Sequence, residues 1–236
     1  MIAQAIGGET ELINIGEEAH KKEINIEADA VIILFPAYAY GAPILVSRFA
    51  KAAAIKTPYL ALFTSFGTKP GGALAQIYRI FKRKKIKVSY CGRIPAVENY
   101  IAIFGPQKET TIQKRIELQK KATDDAVLAI KEKRCNRINT FRPFSDFISL
   151  LFSFALKVFY SWYKVNDNCD GCGICEKLCP VSAINIQDGK PVFSKDCEHC
   201  QGCLNWCPKR AILFGRIKSE TPRYHHPGID LADISR

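Results

Sequence analysis

The sequence has little that is typical of a secreted or membrane-spanning chain. It shows no N-terminal basic stretch followed by an apolar core, which is the pattern of a signal peptide. Its most apolar run, Phe147 to Leu156, would span about 15 Å as a helix, roughly half of a bilayer core. We therefore expect no transmembrane segment and a cytoplasmic location.

Acidic residues are also scarce, since 23 of them stand against 34 lysines and arginines, which gives a formal net charge of +11. Such an excess suggests a nucleic-acid or anionic-membrane partner. The basic residues lie largely in two presumptive helices, however, within Tyr78 to Lys87 and Lys114 to Arg134. This placement favours solvated helix faces, or a docking surface for an acidic protein, and we expect no nucleic-acid partner.

Ten cysteines in a chain without a secretory signal are more typical of metal ligands than of disulfides. Two runs, "CDGCGICEKLCP" from Cys169 and "CEHCQGCLNWCP" from Cys197, each have the form C-x2-C-x2-C-x3-C-P. This spacing binds cubane clusters in bacterial ferredoxins, where the fourth cysteine of each run ligates the other cluster. We therefore predict two [4Fe–4S] clusters. The first is assigned to Cys169, Cys172, Cys175 and Cys207, and the second to Cys197, Cys200, Cys203 and Cys179.

The alternative to a cluster is tetrahedral zinc, which C-x2-C pairs also bind. Three closely spaced cysteines followed by a fourth before proline, occurring in two runs, favour iron–sulfur clusters.

His199 lies between two predicted ligands in the sequence. It is predicted to be a surface loop residue, with a hydrogen bond to a cluster as the alternative. Of the remaining cysteines, Cys91 is predicted to be a packed thiol and Cys135 to be incidental.

The first 135 residues alternate between apolar strands and amphipathic segments. This alternation predicts an α/β fold with a doubly wound parallel sheet, whose ligands bind beyond the carboxyl ends of the strands. A helix from Met1 to Ile6 is predicted to stop at Gly7 and Gly8. The predicted strands are Glu11–Ile15, Val31–Phe35, Tyr59–Thr64 and one within Lys85–Pro95, and the amphipathic or helical segments are Ile44–Lys56, Gly72–Lys84 and Glu109–Arg134.

A dense apolar segment connects this region to the cysteine runs. We predict a helix from Asp146 to Tyr163 that packs against one or both domains. A helix lying on a membrane surface is the alternative.

The motifs "FPAYAYGAP", "GTKPGGAL" and "RIPAVENYI", with the cysteine runs, resemble a family of fused proteins in which a flavodoxin-like domain precedes a two-cluster ferredoxin. The family is sometimes called ferrodoxin. The resemblance implies FMN held by three loops, with its ring between two of them and Tyr38 or Tyr40 stacked on it. Arg93, Pro95 and Asn99 would lie near the flavin edge. The residues that would contact the flavin are Ala37, Tyr38, Ala39, Tyr40, Gly41, Ser65, Phe66, Gly67, Gly71 and Gly72.

The resemblance also implies a domain order and an absent strand. The flavodoxin-like domain would cover residues 1–135, a connecting segment 136–163, the ferredoxin 164–217 and a polar tail 218–236. In this family the first strand leads into a loop of the form S-G-T-G-N-T that binds the FMN phosphate, and this chain begins after that loop. The sheet order 2-1-3-4-5 would then have a gap beside Val31–Phe35. We expect the natural protein to be longer, with a degenerate, flavin-free domain as the alternative, and the chain as given to bind FMN poorly.

Together these features favour an electron carrier. Outside the cysteine runs, the sequence shows no motif of acid–base or nucleophilic residues that is typical of an enzyme active site. We expect single electrons to pass between a soluble donor protein and a soluble acceptor protein, with a flavin converting between one- and two-electron steps. The alternatives are a flavin-dependent reductase fed by its own ferredoxin domain, and a scaffold that stores clusters. The sequence leaves the oligomeric state open.

Overall fold

The computed structural model describes residues 2–234, without the side chains of residues 156 and 157. In chain order its helices and strands are α1 (Ile2–Ile6), α2 (Ile15–Glu18), β1 (Ile24–Glu27), β2 (Val31–Pro36), α3 (Ile44–Ala52), β3 (Ala53–Lys56), β4 (Leu60–Phe66), α4 (Ala73–Arg83), β5 (Tyr90–Pro95), α5 (Ile101–Phe104), α6 (Glu109–Lys131), α7 (Pro143–Phe159), β6 (Tyr163–Val165), α8 (Ile174–Lys177), β7 (Ile184–Gln187), β8 (Lys190–Phe193), α9 (Gly202–Trp206) and β9 (Ile212–Phe214). Single 3-10 turns occupy Tyr160–Trp162 and Leu231–Asp233.

These elements form two compact units. One unit contains the chain up to Val97 together with Thr110–Leu151, and the other contains Glu98–Glu109 and the chain from Phe152 onward. The division differs from the expected domain boundary near residue 135, because Ile101 lies in the hydrophobic core of the second unit.

The first unit contains two parallel sheets. Strands β2, β4 and β5 form a sheet in that order, with Val31 opposite Leu60 and Leu62 opposite Cys91. The long apolar run of β4 suits a central strand that is buried on both faces. Strands β1 and β3 form a separate two-stranded parallel sheet. The observed architecture is therefore a mixed α/β unit with parallel pairing.

Several predicted elements are confirmed. Helix α1 ends before Gly7 and Gly8, whose φ angles of 77° and 79° lie in the left-handed region that stops a helix. Strands β2, β4 and β5 lie where the apolar runs predict them, and α4 and α6 match the predicted helices to within a few residues.

The strand predicted at Glu11–Ile15 is wrong. Residues up to Asn14 are irregular, and Ile15 begins helix α2, where the Asn14 side chain accepts a hydrogen bond from the Gly16 amide at 2.9 Å. No neighbouring strand buries this stretch within the described residues, and Leu12 is 82% exposed. The segment Ile44–Lys56 is also divided, because the backbone becomes extended at Ala53 and residues Ala53–Lys56 pair with β1 as strand β3.

Helix α7 begins and ends a few residues earlier than predicted. Within the first unit, its Ser145 and Ser149 side chains, one turn apart, contact Gly72 and Gly41. Six of the long apolar side chains of α7 are at least half exposed: Phe144, Phe147, Leu150, Leu151, Phe154 and Val158. Among the described residues, no helix combines the length and apolar character needed to cross a bilayer.

The second unit contains two short antiparallel sheets, helix α5, the last part of α7 and the two short helices α8 and α9. Strand β6 pairs with β9, and β7 pairs with β8. The apolar stretches after each cysteine run thus form strands β7 and β9, which pair with other strands rather than with each other. Both α8 and α9 lie inside a cysteine run, α8 after the first glycine-rich turn and α9 at the corresponding place in the second.

Candidate functional site

Four cysteines line a cavity in the second unit. Gly171 and Gly173, with φ angles of 72° and 74°, turn the first run tightly around this cavity. A Cβ atom at Gly171 would approach the Gly189 carbonyl oxygen to 2.9 Å, so the close approach of the two chains requires glycine there. Cys172 is exposed at the mouth. The four cysteines are Cys169, Cys172, Cys175 and Cys207.

A second cavity is lined by the other four cysteines of the two runs. Its walls also contain Tyr163, Ile184 and Gln201, and its cysteines are more buried than those of the first cavity. These cysteines are Cys179, Cys197, Cys200 and Cys203. The structure thus brings together the same two sets of four that the spacing predicts. Their role as ligands stays a prediction that iron analysis can test.

Backbone amides donate to the fourth cysteine of each run. The Ala183 amide lies 3.1 Å from Cys179 Sγ, and the Ala211 amide lies 3.3 Å from Cys207 Sγ. In both cases the donor follows the cysteine by four residues, so the internal repeat of the sequence is also a repeat of structure. Donors in this position stabilise a thiolate, which is the form that binds metal.

Burial opposes thiolate formation at Cys175, Cys197 and Cys200. It raises the pKa of Cys175 and of Cys197 to about 11 in each case, against partial lowering by backbone hydrogen bonds. It raises the pKa of Cys200 to about 12. Metal coordination must therefore displace these protons, and cluster binding is coupled to proton release.

The donor sets fit [4Fe–4S] clusters. Each cavity offers four soft sulfur ligands on a wall of apolar side chains, and iron in such clusters prefers thiolates. Among the described residues, no three histidine, cysteine or acidic side chains converge on one point as the ligands of a single metal ion do.

The surface position predicted for His199 is wrong. Its side chain is only 2% exposed and lies among aromatic rings, with its ring centroid 5.4 Å from those of Tyr163 and Phe214. The rings of Tyr163 and Phe193 stack with centroids 4.6 Å apart in the same cluster. The local sequence does not indicate this burial, because the aromatic rings next to His199 are those of Phe159, Tyr163 and Phe214, which lie outside the cysteine run.

The packed position predicted for the Cys91 thiol is confirmed. Cys91 is buried in the core of the first unit, and burial raises the pKa of its thiol to about 12. The Asn136 side chain bonds to both the amide and the carbonyl of Cys91 at 2.9 Å. Cys135 is exposed.

The two loops predicted to hold FMN lie side by side at the carboxyl ends of β2 and β4. The Gly72 amide donates to the Tyr40 carbonyl at 2.8 Å, and the Ala37 amide donates to the Ser65 carbonyl at 2.7 Å. A side chain at Gly71 would overlap the Tyr40 backbone, so the loops touch each other.

The first half of α7 covers these loops. A Cβ atom at Gly41 would overlap the Ser149 side chain, and the Tyr40 ring meets the Phe144 ring edge-on with centroids 6.4 Å apart. The loops are therefore in contact both with each other and with α7. Asn99, predicted near the flavin edge, lies in the second unit, where its carbonyl accepts a hydrogen bond from Asn205 at 3.1 Å. The assignment of FMN to these residues stays a prediction.

Comparison with known proteins assigns the cysteine-rich segment. A family model described as a 4Fe-4S binding domain matches residues 162–185. A ferredoxin of Methanothermococcus thermolithotrophicus is 40% identical over 50 residues, which are 20% of this chain and 83% of the ferredoxin. A ferredoxin of Acetoanaerobium sticklandii is 52% identical over 31 residues, which are 13% of this chain and 55% of that protein.

An uncharacterised protein of Methanocaldococcus jannaschii is 34% identical over 74 residues, which are 31% of this chain but only 28% of that protein. No solved structure matches the chain. The match to the Methanothermococcus ferredoxin covers most of that protein. Through this cysteine-rich segment, the chain belongs to the ferredoxin family.

Proposed function

We propose that the protein relays single electrons through two [4Fe–4S] clusters, one on each set of four cysteines, between soluble donor and acceptor proteins. The observation that carries the proposal is the pair of cavities, each lined by three cysteines of one run and the fourth cysteine of the other. When bound, each cluster supplies one-electron redox chemistry.

The chain's own residues favour rapid transfer between the two sites. Helix α8 carries Cys175 of the first set, and Cys179 of the second set follows one residue after the helix cap. Four helical residues rise by about 6 Å, so one helical turn joins the two sites. Exposure of Cys172 leaves the first site within reach of a partner protein, whereas the second site lies behind Tyr163 and Gln201.

The net charge of the whole chain favours an acidic partner, although the rim of the first site carries a balanced pair of charges. Lys209 and Asp170 both line this cavity, with Lys209 Nζ 3.7 Å from an Asp170 carboxylate oxygen, and both side chains are about half exposed. The chain as a whole carries a formal net charge of +11 before any cluster is counted. Complementary charge mainly accelerates encounter, and its effect weakens as salt rises.

The flavin function is a separate part of the proposal. FMN would lie at the carboxyl ends of β2 and β4 only if α7 moved away from Gly41 and Gly72, and we therefore expect little binding by this chain. A flavin-dependent reductase remains the alternative function. Titration with FMN, followed by flavin fluorescence, tests both, since tight stoichiometric binding would favour the reductase.

Iron analysis with two matched cysteine variants tests the relay. Protein purified without oxygen is expected to hold about eight iron and eight sulfide per chain and to reduce cytochrome c once reduced itself. Cys179→Ala is expected to damage the second cluster and Cys207→Ala the first, each seen as loss of one of two redox transitions. Cys135→Ala is the control and should retain both clusters. Loss of the first cluster in Cys179→Ala would contradict the ligand assignment.

A further inference from the structure

The two halves of the internal repeat differ at a position that lines the cysteine cavities. Gly173 in the first run and Gln201 in the second both precede a short helix directly, and both have left-handed backbone, with φ angles of 74° and 62°. Glycine adopts this conformation freely, whereas glutamine adopts it with strain. A strained residue that replaces the favoured one suggests that its side chain has a role.

The Gln201 side chain is fully buried, at 0% exposure, and it lines the second cysteine cavity. Among the residues that the structure describes, neither its Oε1 nor its Nε2 atom has a hydrogen-bond partner of good geometry. Burying an unpaired amide is costly, and such groups in folded proteins call for an explanation. The cavity that this amide lines is where the sulfur atoms of a cluster would lie.

The residues behind Gln201 come from Glu98–Glu109, a segment outside the cysteine-rich part of the sequence. Ile101 is 2% exposed in the same core as Leu204 and Cys203, and the Asn205 side chain holds the Asn99 carbonyl at 3.1 Å. The Tyr100 hydroxyl lies beside the Gln201 amide and close enough to Cys197 for their charges to interact. Burial raises the pKa of Tyr100 to about 12, so this hydroxyl keeps its proton.

We propose that Gln201 donates a hydrogen bond from its amide to the second cluster and raises the reduction potential of that cluster, and that Tyr100 positions the amide. The inference rests on the proposed cluster function. A reduced cluster carries one more negative charge than an oxidised one, so a donor aimed at its sulfur atoms favours reduction. The first site has glycine at the matching position and receives no such donor from a side chain there.

Two nearly isosteric variants test the proposal by redox titration. In Gln201→Met and in Tyr100→Phe, we expect the equilibrium constant for reduction of the second cluster to fall about tenfold, which is 59 mV for one electron. The potential of the first cluster should not change. Tyr160→Phe is the control, because Tyr160 packs against the same core without lining either cavity. A purely structural role would change stability but not one potential alone.

Iron content separates the possible outcomes. Wild-type protein with fewer than about eight iron would overturn the two-cluster function and this inference with it. Eight iron in each variant with both potentials unchanged would overturn the inference alone. If Gln201→Met lost iron, Gln201→Gly, which restores the residue of the first run, would be titrated instead. It is expected to retain both clusters and to lower the second potential, and an unchanged potential would again overturn the inference.

Discussion

The thiols of Cys91 and Cys135 differ in accessibility, and this difference predicts their chemistry. Cys91 is a residue of β5 that is buried in the core, where burial raises the pKa of its thiol to about 12, while Cys135 is exposed. Alkylation requires a thiolate that the reagent can reach. We expect iodoacetamide to modify Cys135 and not Cys91 in iron-loaded protein at pH 8, as measured by mass spectrometry of peptides.

Unfolding in denaturant provides the control for this experiment, because both thiols should then react. Rapid alkylation of Cys91 in the native protein would mean that the first unit opens readily around β5. The expected difference should persist up to about pH 9, since the raised pKa keeps the Cys91 thiol protonated there.

At the scale of single residues, the sequence predicts the cysteines far better than their neighbours. Ligand spacing is local, so two runs of the same form were enough to sort eight cysteines into the two sets that line the two cavities. The burial of His199 and Gln201 depends on Tyr163, Phe214 and Tyr100, which are distant in sequence. Nothing in the local pattern "CEHCQGC" indicates which of its side chains are covered.

At the scale of elements, helix α7 allows a prediction, because its Ser145 and Ser149 side chains lie against Gly72 and Gly41. Ser149→Leu would force a larger side chain against Gly41, where even one added carbon on the glycine would overlap the serine. Overpacking of this kind costs about 1–3 kcal/mol. Phe147→Leu is the matched control on the exposed side of the same helix, since Phe147 is 57% exposed, and it should change the free energy of unfolding by less than about 0.5 kcal/mol.

Denaturant unfolding followed by circular dichroism measures both variants. Equal effects would contradict the contact between α7 and the loops at Gly41 and Gly72. The FMN titration should be repeated in a variant that separates α7 from these loops, because α7 contacts the loops that are predicted to hold the flavin.

Elements of the first unit were predictable where a long apolar run forms a strand, as in β2 and in β4, which is buried on both faces. The prediction failed where pairing decides the conformation. Glu11–Ile15 has a strand-like composition but no partner strand among the described residues, and Ala53–Lys56 becomes a strand only because β1 lies beside it. Strand propensity reflects a fit to neighbours more than an intrinsic preference.

At the scale of the whole molecule, the two units depend on different sources of stability. The first has an extensive apolar core that includes Phe35, Leu62 and Phe81. The core of the second contains Cys175, Cys179, Cys197 and Cys203 among its buried residues, and both of its cavities are lined by thiols. Small units of this kind are commonly stabilised by metal, whose binding free energy contributes to folding.

Removal of iron should therefore unfold the second unit and leave the first intact. After oxidative cluster destruction and chelation without oxygen, we expect amides in β7 and β9 to lose protection from hydrogen exchange, because the four buried thiols would then surround empty space. Amides in β2 and β4 should keep their protection, and they serve as the internal control in the same sample. A mock-treated sample that retains iron controls for the handling. Unchanged protection of β7 and β9 in iron-free protein would mean that apolar packing around Ile184, Leu204 and Ile212 holds the second unit without its clusters.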